Sequence, residues 1–273
     1  MPFLHYAPGM TILDSPALAA TTWSVVLQDV ESGDVLWEHE PDVLLRTASV
    51  AKVFVLVELA DAVCSGRLFE HTLLDRREVP RVGDSGLWQH LDVPVLPVGD
   101  VARLVGSVSD NWATNVLIGR LGLDAVQRRA LEITSLGSML HDSVRDERPE
   151  GTTLSEGCAS DWATLFTDLA TGVLVSRDVS ALVLDWLSTS TDLSMVASAF
   201  NLDPLSHAPT DPLAIWNKTG TDDGVRADVG VVRAGDRQLA YAAICNWAPD
   251  TDEPRGAVMS AMRQMGNEIL ERL

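Results

Sequence analysis

Residues 22–38 alternate apolar and polar side chains in two runs, TWSVVLQD and VLWEH, separated by ESGD. Period-two alternation broken by such a turn predicts a β-hairpin, with Gly33 relieving the tight bend. Past Pro41 the pattern changes. The run SVAKVFVLVELADAVCSG is apolar on nearly every side, which predicts a helix buried at the centre of a domain and ended by Gly66. Residues 76–99 are polar with Gly and Pro, and a helix is expected to open near Asp100. SDNWATNVLIGRLG begins with good N-cap residues and closes on Gly122, so it reads as a further helix. Another helical run starts at Asp124 and reaches about Leu136. Residues 140–151 read as a charged loop containing Pro149, followed by helices over about 160–171 and 177–187. A Pro-bearing loop, NLDPLSHAPTDP, leads to strand patterns at 213–217, 225–233 and 238–247. The last twenty residues, opened by Pro254, form an amphipathic helix.

Strands therefore sit at both ends of the chain and helices fill the middle. The economical solution is an α/β (more strictly α+β) fold in which the two ends meet in one antiparallel sheet flanked by terminal helices. An all-helical region is inserted between its strands. The sheet part is expected over about residues 20–46 and 212–273, and the helical part over about 47–211.

Bulk properties narrow the partners. With 273 residues and 46% apolar side chains the chain can bury a substantial core and should be soluble. Its net charge of −19 argues against nucleic acid, since little would neutralise phosphates. Apolar runs such as residues 53–57 are far too short to cross a bilayer, so no membrane partner is expected. Residues 1–20 lack the basic start and apolar core of a secretory signal. A cytoplasmic location is expected for the chain as it stands, or secretion if a leader has been removed. Cys64, Cys158 and Cys245 are widely spaced and read as reduced core residues. The six histidines are scattered and form no metal-ligand spacing, so neither a metal nor another cofactor is expected. A monomer acting on a small-molecule substrate is the expected state.

Lysine is almost absent: only Lys52 and Lys218 occur, against eighteen arginines among the 20 basic residues. Lys52 follows Ser49 by three positions at the start of the buried helix, so hydroxyl and amine can share a helix face. Burial and a neighbouring cation would lower the amine's pKa and let it take the serine proton. The helix N-terminus favours negative charge at Ser49. Ser109-Asp110-Asn111 opens a helix; for Asp110 or Asn111 an N-cap is as good a reading as a site role, and capping does not require Ser109. Lys218-Thr219-Gly220 ends a strand, either as an edge lysine before a turn or as part of a site. A chance K-T-G occurs in roughly one in twenty chains of average composition.

S-x-x-K, S-D-N and K-T-G in this order resemble the three signatures of class A β-lactamases and penicillin-binding proteins. Ser49 and Ser109 lie 60 positions apart, similar to the class A spacing. The resemblance covers about residue 22 to the C-terminus and implies a β-lactamase/transpeptidase-like fold. It implies Ser49 as nucleophile, Lys52 as its base, and Ser109 as proton relay to the leaving nitrogen. Asn111 would bind the substrate's amide side chain. Lys218 and Thr219 would hold its carboxylate, and Gly220 would let it lie along the strand. The backbone N–H groups of Ser49 and Thr221 would form the oxyanion hole. Arg226 either binds the substrate carboxylate or pairs with Asp222 or Asp228.

Class A enzymes clear the acyl group with a loop glutamate followed closely by Leu-Asn. Here the loop reads LHDSVRDERPEGTTLS, and Glu147 and Glu150 lie near the expected distance without that pair following. The leading expectation is a serine hydrolase opening β-lactams or related amides through a Ser49 acyl-enzyme. An esterase, amidase or D-Ala-D-Ala-type peptidase with the same site is one alternative. A penicillin-binding sensor that is acylated but hardly turns over is the other.

Overall fold

The computed structural model describes residues 11–206, 212–248 and 254–273. The expectation for residues 1–10, and part of the loop expected at 201–212, lie outside the described residues.

The predicted hairpin is present as β1 (Thr22–Asp29) and β2 (Val35–His39), with Gly33 at φ +76° in the turn. A two-residue strand, β3 (Leu45–Arg46), precedes the buried helix. That helix, α1 (Lys52–Cys64), is buried from Lys52 through Ala60 and begins later than the apolar run suggests. Ala48–Ala51, which contains Ser49, is a 3-10 turn instead. The polar stretch holds β4 (Leu73–Asp75) and β5 (Val95–Pro97), paired antiparallel. Three helices follow: α2 (Val98–Val108), α3 (Asn111–Leu121) and α4 (Leu123–Ile133). α4 stops short of Leu136 because Asp161 takes the amides of Ser135, Leu136 and Ser138, drawing the chain out of the helix.

Two short strands, β6 (Met139–Leu140) and β7 (Ser155–Gly157), bracket the charged loop and pair with each other, and β7 also pairs with β3. α5 (Ala159–Thr171) and α6 (Arg177–Leu187) match the expected helices. The C-terminal strands are β8 (Leu213–Asp222), β9 (Val225–Ala234) and β10 (Arg237–Asn246). α7 (Arg255–Leu270) closes the chain. β8 runs five residues past its expected end, because Lys218 through Asp222 pair with β9 rather than turning away.

The two chain ends do meet in one antiparallel sheet, in the order β2-β1-β10-β9-β8. Its two faces follow the period-two rule. Ala240, Ala242 and Ile244 join α1 and the other inserted helices in one core. Leu239, Tyr241, Ala243 and Cys245 point the other way, into a second core with α7 and the 3-10 turn Val196–Phe200. The described N-terminal segment adds two further 3-10 turns, Thr11–Asp14 and Pro16–Leu18, not an α-helix. Cys158 and Cys245 are buried thiols, but Cys64 is exposed, since it ends α1 where the helix leaves the core.

α7 lies so close to the 3-10 turn at 196–200 that a Cβ on Gly266 would sit 2.2 Å from the Val196 carbonyl oxygen. Gly266→Ala is expected to lower stability by about 1–3 kcal/mol as the helix is pushed off the sheet. Thermal unfolding checks this, and an unchanged midpoint would reject the close approach.

Candidate active site

Ser49 sits on a turn that is strained and tightly held. Ala48, just before it, has φ +47°, a left-handed conformation that a residue with a Cβ adopts at a cost of about 1–3 kcal/mol. Ser155 of β7 holds the turn. Its hydroxyl donates to the Ala48 carbonyl at 2.7 Å and shares a hydrogen bond with the Thr47 hydroxyl at 2.8 Å. On the other side β8 passes so near that a Cβ on Gly220 would lie 2.1 Å from the Thr47 carbonyl oxygen and 3.2 Å from the Ser49 amide nitrogen. Only glycine permits that approach.

The Ser109 turn is built from two caps. Ser109 is the left-handed C-cap of α2 at φ +55°, and Asp110 is the N-cap of α3, accepting from the Ala113 amide at 2.9 Å. The same carboxylate accepts from the Trp88 amide at 2.7 Å, tying the turn to the polar stretch before α2. The SDN sequence is therefore both a cap and a carrier for a side chain.

Both lysines converge on that side chain. Lys52 Nζ donates to the Ser109 hydroxyl at 3.1 Å, to the Ser109 carbonyl at 2.6 Å and to Asn111 Oδ1 at 2.7 Å. Lys218 Nζ donates to the same hydroxyl at 3.0 Å and to the Thr219 carbonyl at 2.8 Å. Both amines are buried. Burial and the nearby Lys218 charge hold Lys52 well below the usual amine range, against the pull of Asp110 and Asp84. Burial lowers Lys218 to about 8, with Asp192 and Asp228 drawing it back up.

The cleft has a volume of about 340 Å³ and is lined by Ser49, Ser109, Lys218, Thr219 and Thr221, among others. Five of the expected site residues thus share one cavity wall, while others are placed differently. Among the described residues no hydrogen bond joins Lys52 to the Ser49 hydroxyl; the amine faces Ser109 instead. Asn111 is buried and spends its carboxamide on Lys52 and on the Gly83 carbonyl at 3.0 Å, so it holds the lysine and does not line the cleft. Arg226 donates to the carbonyls of Asp222 and Val225 and lies over the Trp247 ring, outside the cleft lining. Glu147 and Glu150 are exposed, and neither lines the cleft.

Two contributors carried no motif. Ser155, 106 positions from Ser49, anchors the turn that carries Ser49. Asp192, in the segment after α6, lines the cleft and accepts the Thr219 hydroxyl at 2.6 Å. A lone Asp among Ser and Thr residues offers no spacing by which to find it.

Among the described residues no group of three or more His, Cys, Asp and Glu side chains is placed to hold a metal ion, and no helix is long and apolar enough to cross a membrane. Solved structures share the whole fold. A β-lactamase from Sphaerobacter thermophilus superposes with a TM-score of 0.81 at 22% identity, covering 96% of both chains. PBP-A superposes at 0.77 and 20% identity, over 93% of this chain and 92% of that one. A class A β-lactamase from Mycobacterium abscessus gives 0.73 at 17%, over 92% and 94%. No curated protein matches the chain. The model of the Beta-lactamase enzyme family matches residues 11–273, all but the first ten positions, and the chain belongs to that family of serine hydrolases.

Proposed function

We propose that Ser49 opens β-lactams by attacking the ring carbonyl to form an acyl-enzyme. The observation that carries this reading is the Ser109 hydroxyl lying 3.1 Å from one buried amine and 3.0 Å from another, beside Ser49 in one cleft. Burial and the Lys218 charge lower the Lys52 pKa and so favour its neutral form, which can receive the Ser49 proton as the C–O bond forms. Ser109, hydrogen-bonded to that amine, passes a proton to the ring nitrogen as the C–N bond breaks. Lys218 supplies positive charge beside the relay. The amides of Ser49 and Thr221 receive the carbonyl oxygen as it becomes anionic, on the turn and strand that Gly220 brings together.

Hydrolysis of the acyl-enzyme then needs water at the Ser49 ester. Glu147 and Glu150 are exposed and do not line the cleft, so neither is placed to activate that water.

A chromogenic cephalosporin together with mass analysis of the Ser49 peptide tests the reading. Ring opening with a transient adduct on Ser49 is expected, and Ser49→Ala should show neither. An adduct that persists in Ser49→Ala would place the nucleophile elsewhere.

The pH profile gives a second test. Lys218, with its pKa lowered to about 8, is protonated below that value and neutral above it. If its charge assists acylation, the rate falls as pH rises through about 8. Lys218→Arg keeps the charge and should move that alkaline limb to higher pH. A limb that stays in place in the arginine variant would assign it to another group.

A further inference from the structure

The cleft wall carries two charged side chains, Lys218 and Asp192. Asp192 is a fixed group. Its Oδ2 accepts the Thr219 hydroxyl at 2.6 Å, and its Oδ1 accepts the Ser194 hydroxyl at 2.6 Å and the Ser194 amide at 3.2 Å. The backbone is held as well. The Asp192 carbonyl accepts from Asn217 Nδ2, and the neighbouring Thr191 donates from amide and hydroxyl to the Ser107 carbonyl. Burial opposes ionisation of Asp192, but these hydroxyls, the Ser194 amide and the charge of Lys218 leave its carboxyl below the usual range. It is an anion at neutral pH.

That anion changes what Thr219 and Lys218 can offer. A hydroxyl has one proton to donate, and Thr219 gives its proton to Asp192. The Lys218 charge is partly compensated by Asp192 and Asp228. A substrate carboxylate entering here must displace Asp192 from Thr219 and lie beside a fixed negative charge. Exposed Asp222 and Asp223, just past Thr221 on the same strand end, add to that repulsion. A carboxylate has about four acceptor positions, of which three on Asp192 are occupied. The remaining one can take a hydrogen bond from an N–H or a cation.

Building on the acyl-enzyme reading above, we propose that Asp192 is a specificity-determining residue. It turns the site away from acyl donors with a carboxylate beside Thr219, towards those with a neutral or positively charged group there, such as an ester, a carboxamide or an amine.

Benzylpenicillin and its methyl ester form a matched pair that differs in that one charge. The readout is the rate of Ser49 acylation by each, followed by intact mass, and its quantity is the anion-to-ester ratio. The unmutated protein should acylate the ester about tenfold faster than the anion or more, as expected for like charges brought together. In Asp192→Asn the ratio should shift about tenfold towards the anion, because the charge is gone while an acceptor for Thr219 remains. A ratio, unlike a single rate, is insensitive to a general loss of folded protein. An unmutated protein that prefers the anion would overturn the proposal, as would an unchanged ratio in the variant. Absence of any adduct on Ser49 with either compound would overturn the acyl-enzyme reading as well.

Discussion

Two lysine amines are brought out of water and aimed at one hydroxyl, and most of the remaining architecture can be understood as what makes that tolerable. Ser109 Oγ lies 3.1 Å from Lys52 and 3.0 Å from Lys218, with both lysines buried. Two full charges so close and so dry would repel strongly and lose their hydration. The fold answers asymmetrically. Burial and repulsion from Lys218 dominate at Lys52, where Asp110 and Asp84 only partly oppose them, so that amine tends to neutrality. Asp192 and Asp228 flank Lys218 and keep it nearer its charged form. Unequal environments for two like groups suit the two roles proposed for them, base and electrostatic anchor.

The three parts that meet there come from distant stretches of chain, and each is held by a local device. α1 presents Lys52 from the centre of the larger core. The Ser109 turn joins a left-handed C-cap to an Asp110 N-cap, and Asn111 receives the Lys52 amine. β8 brings Lys218 while Gly220 lets the strand touch the Ser49 turn. On β9, opposite Thr219 of β8, Asp228 is pushed up to about 7 mainly by burial, yet it accepts from Asn217, Tyr241 and the Val196 amide. This network ties β8, β9 and β10 to the segment that carries Asp192.

Much of this was legible in the sequence, because it rests on local periodicity and on rare residues. Alternation placed the outer hairpin and the C-terminal strands, and all-round apolarity placed α1. Two lysines in a chain that otherwise uses arginine pointed to the site. What escaped depends on contacts between remote positions. Ser155 secures Ala48 across 107 positions, and Thr219 meets Asp192 across 27. No window on the sequence contains both partners. The left-handed Ala48 and the 3-10 turn at Ser49 escaped for the same reason, since β7 and β8 impose them. Asn111 and Arg226 were expected to face substrate by their motif positions. The nearby Lys52 and Gly83 carbonyl claim the first, and the Trp247 ring and two backbone carbonyls claim the second.

The charged loop between β6 and β7 is held by a separate set of bonds. Asn115 grips Val144 at both its amide and its carbonyl, Asp146 accepts from the Gly83 amide, and Asp142 is paired with Arg145 and Arg148. None of these contacts includes Ser49, Lys52, Ser109 or Lys218. The loop reaches the amines through one further link, since the Gly83 that Asp146 holds by its amide accepts at its carbonyl from Asn111, the residue that holds Lys52. The amines themselves rest in a desolvated core that tolerates little change, because every member holds another. Glu147 and Glu150 are exposed on the same loop and belong to none of these bonds, so they can vary without disturbing the amines, whereas Asp146 cannot.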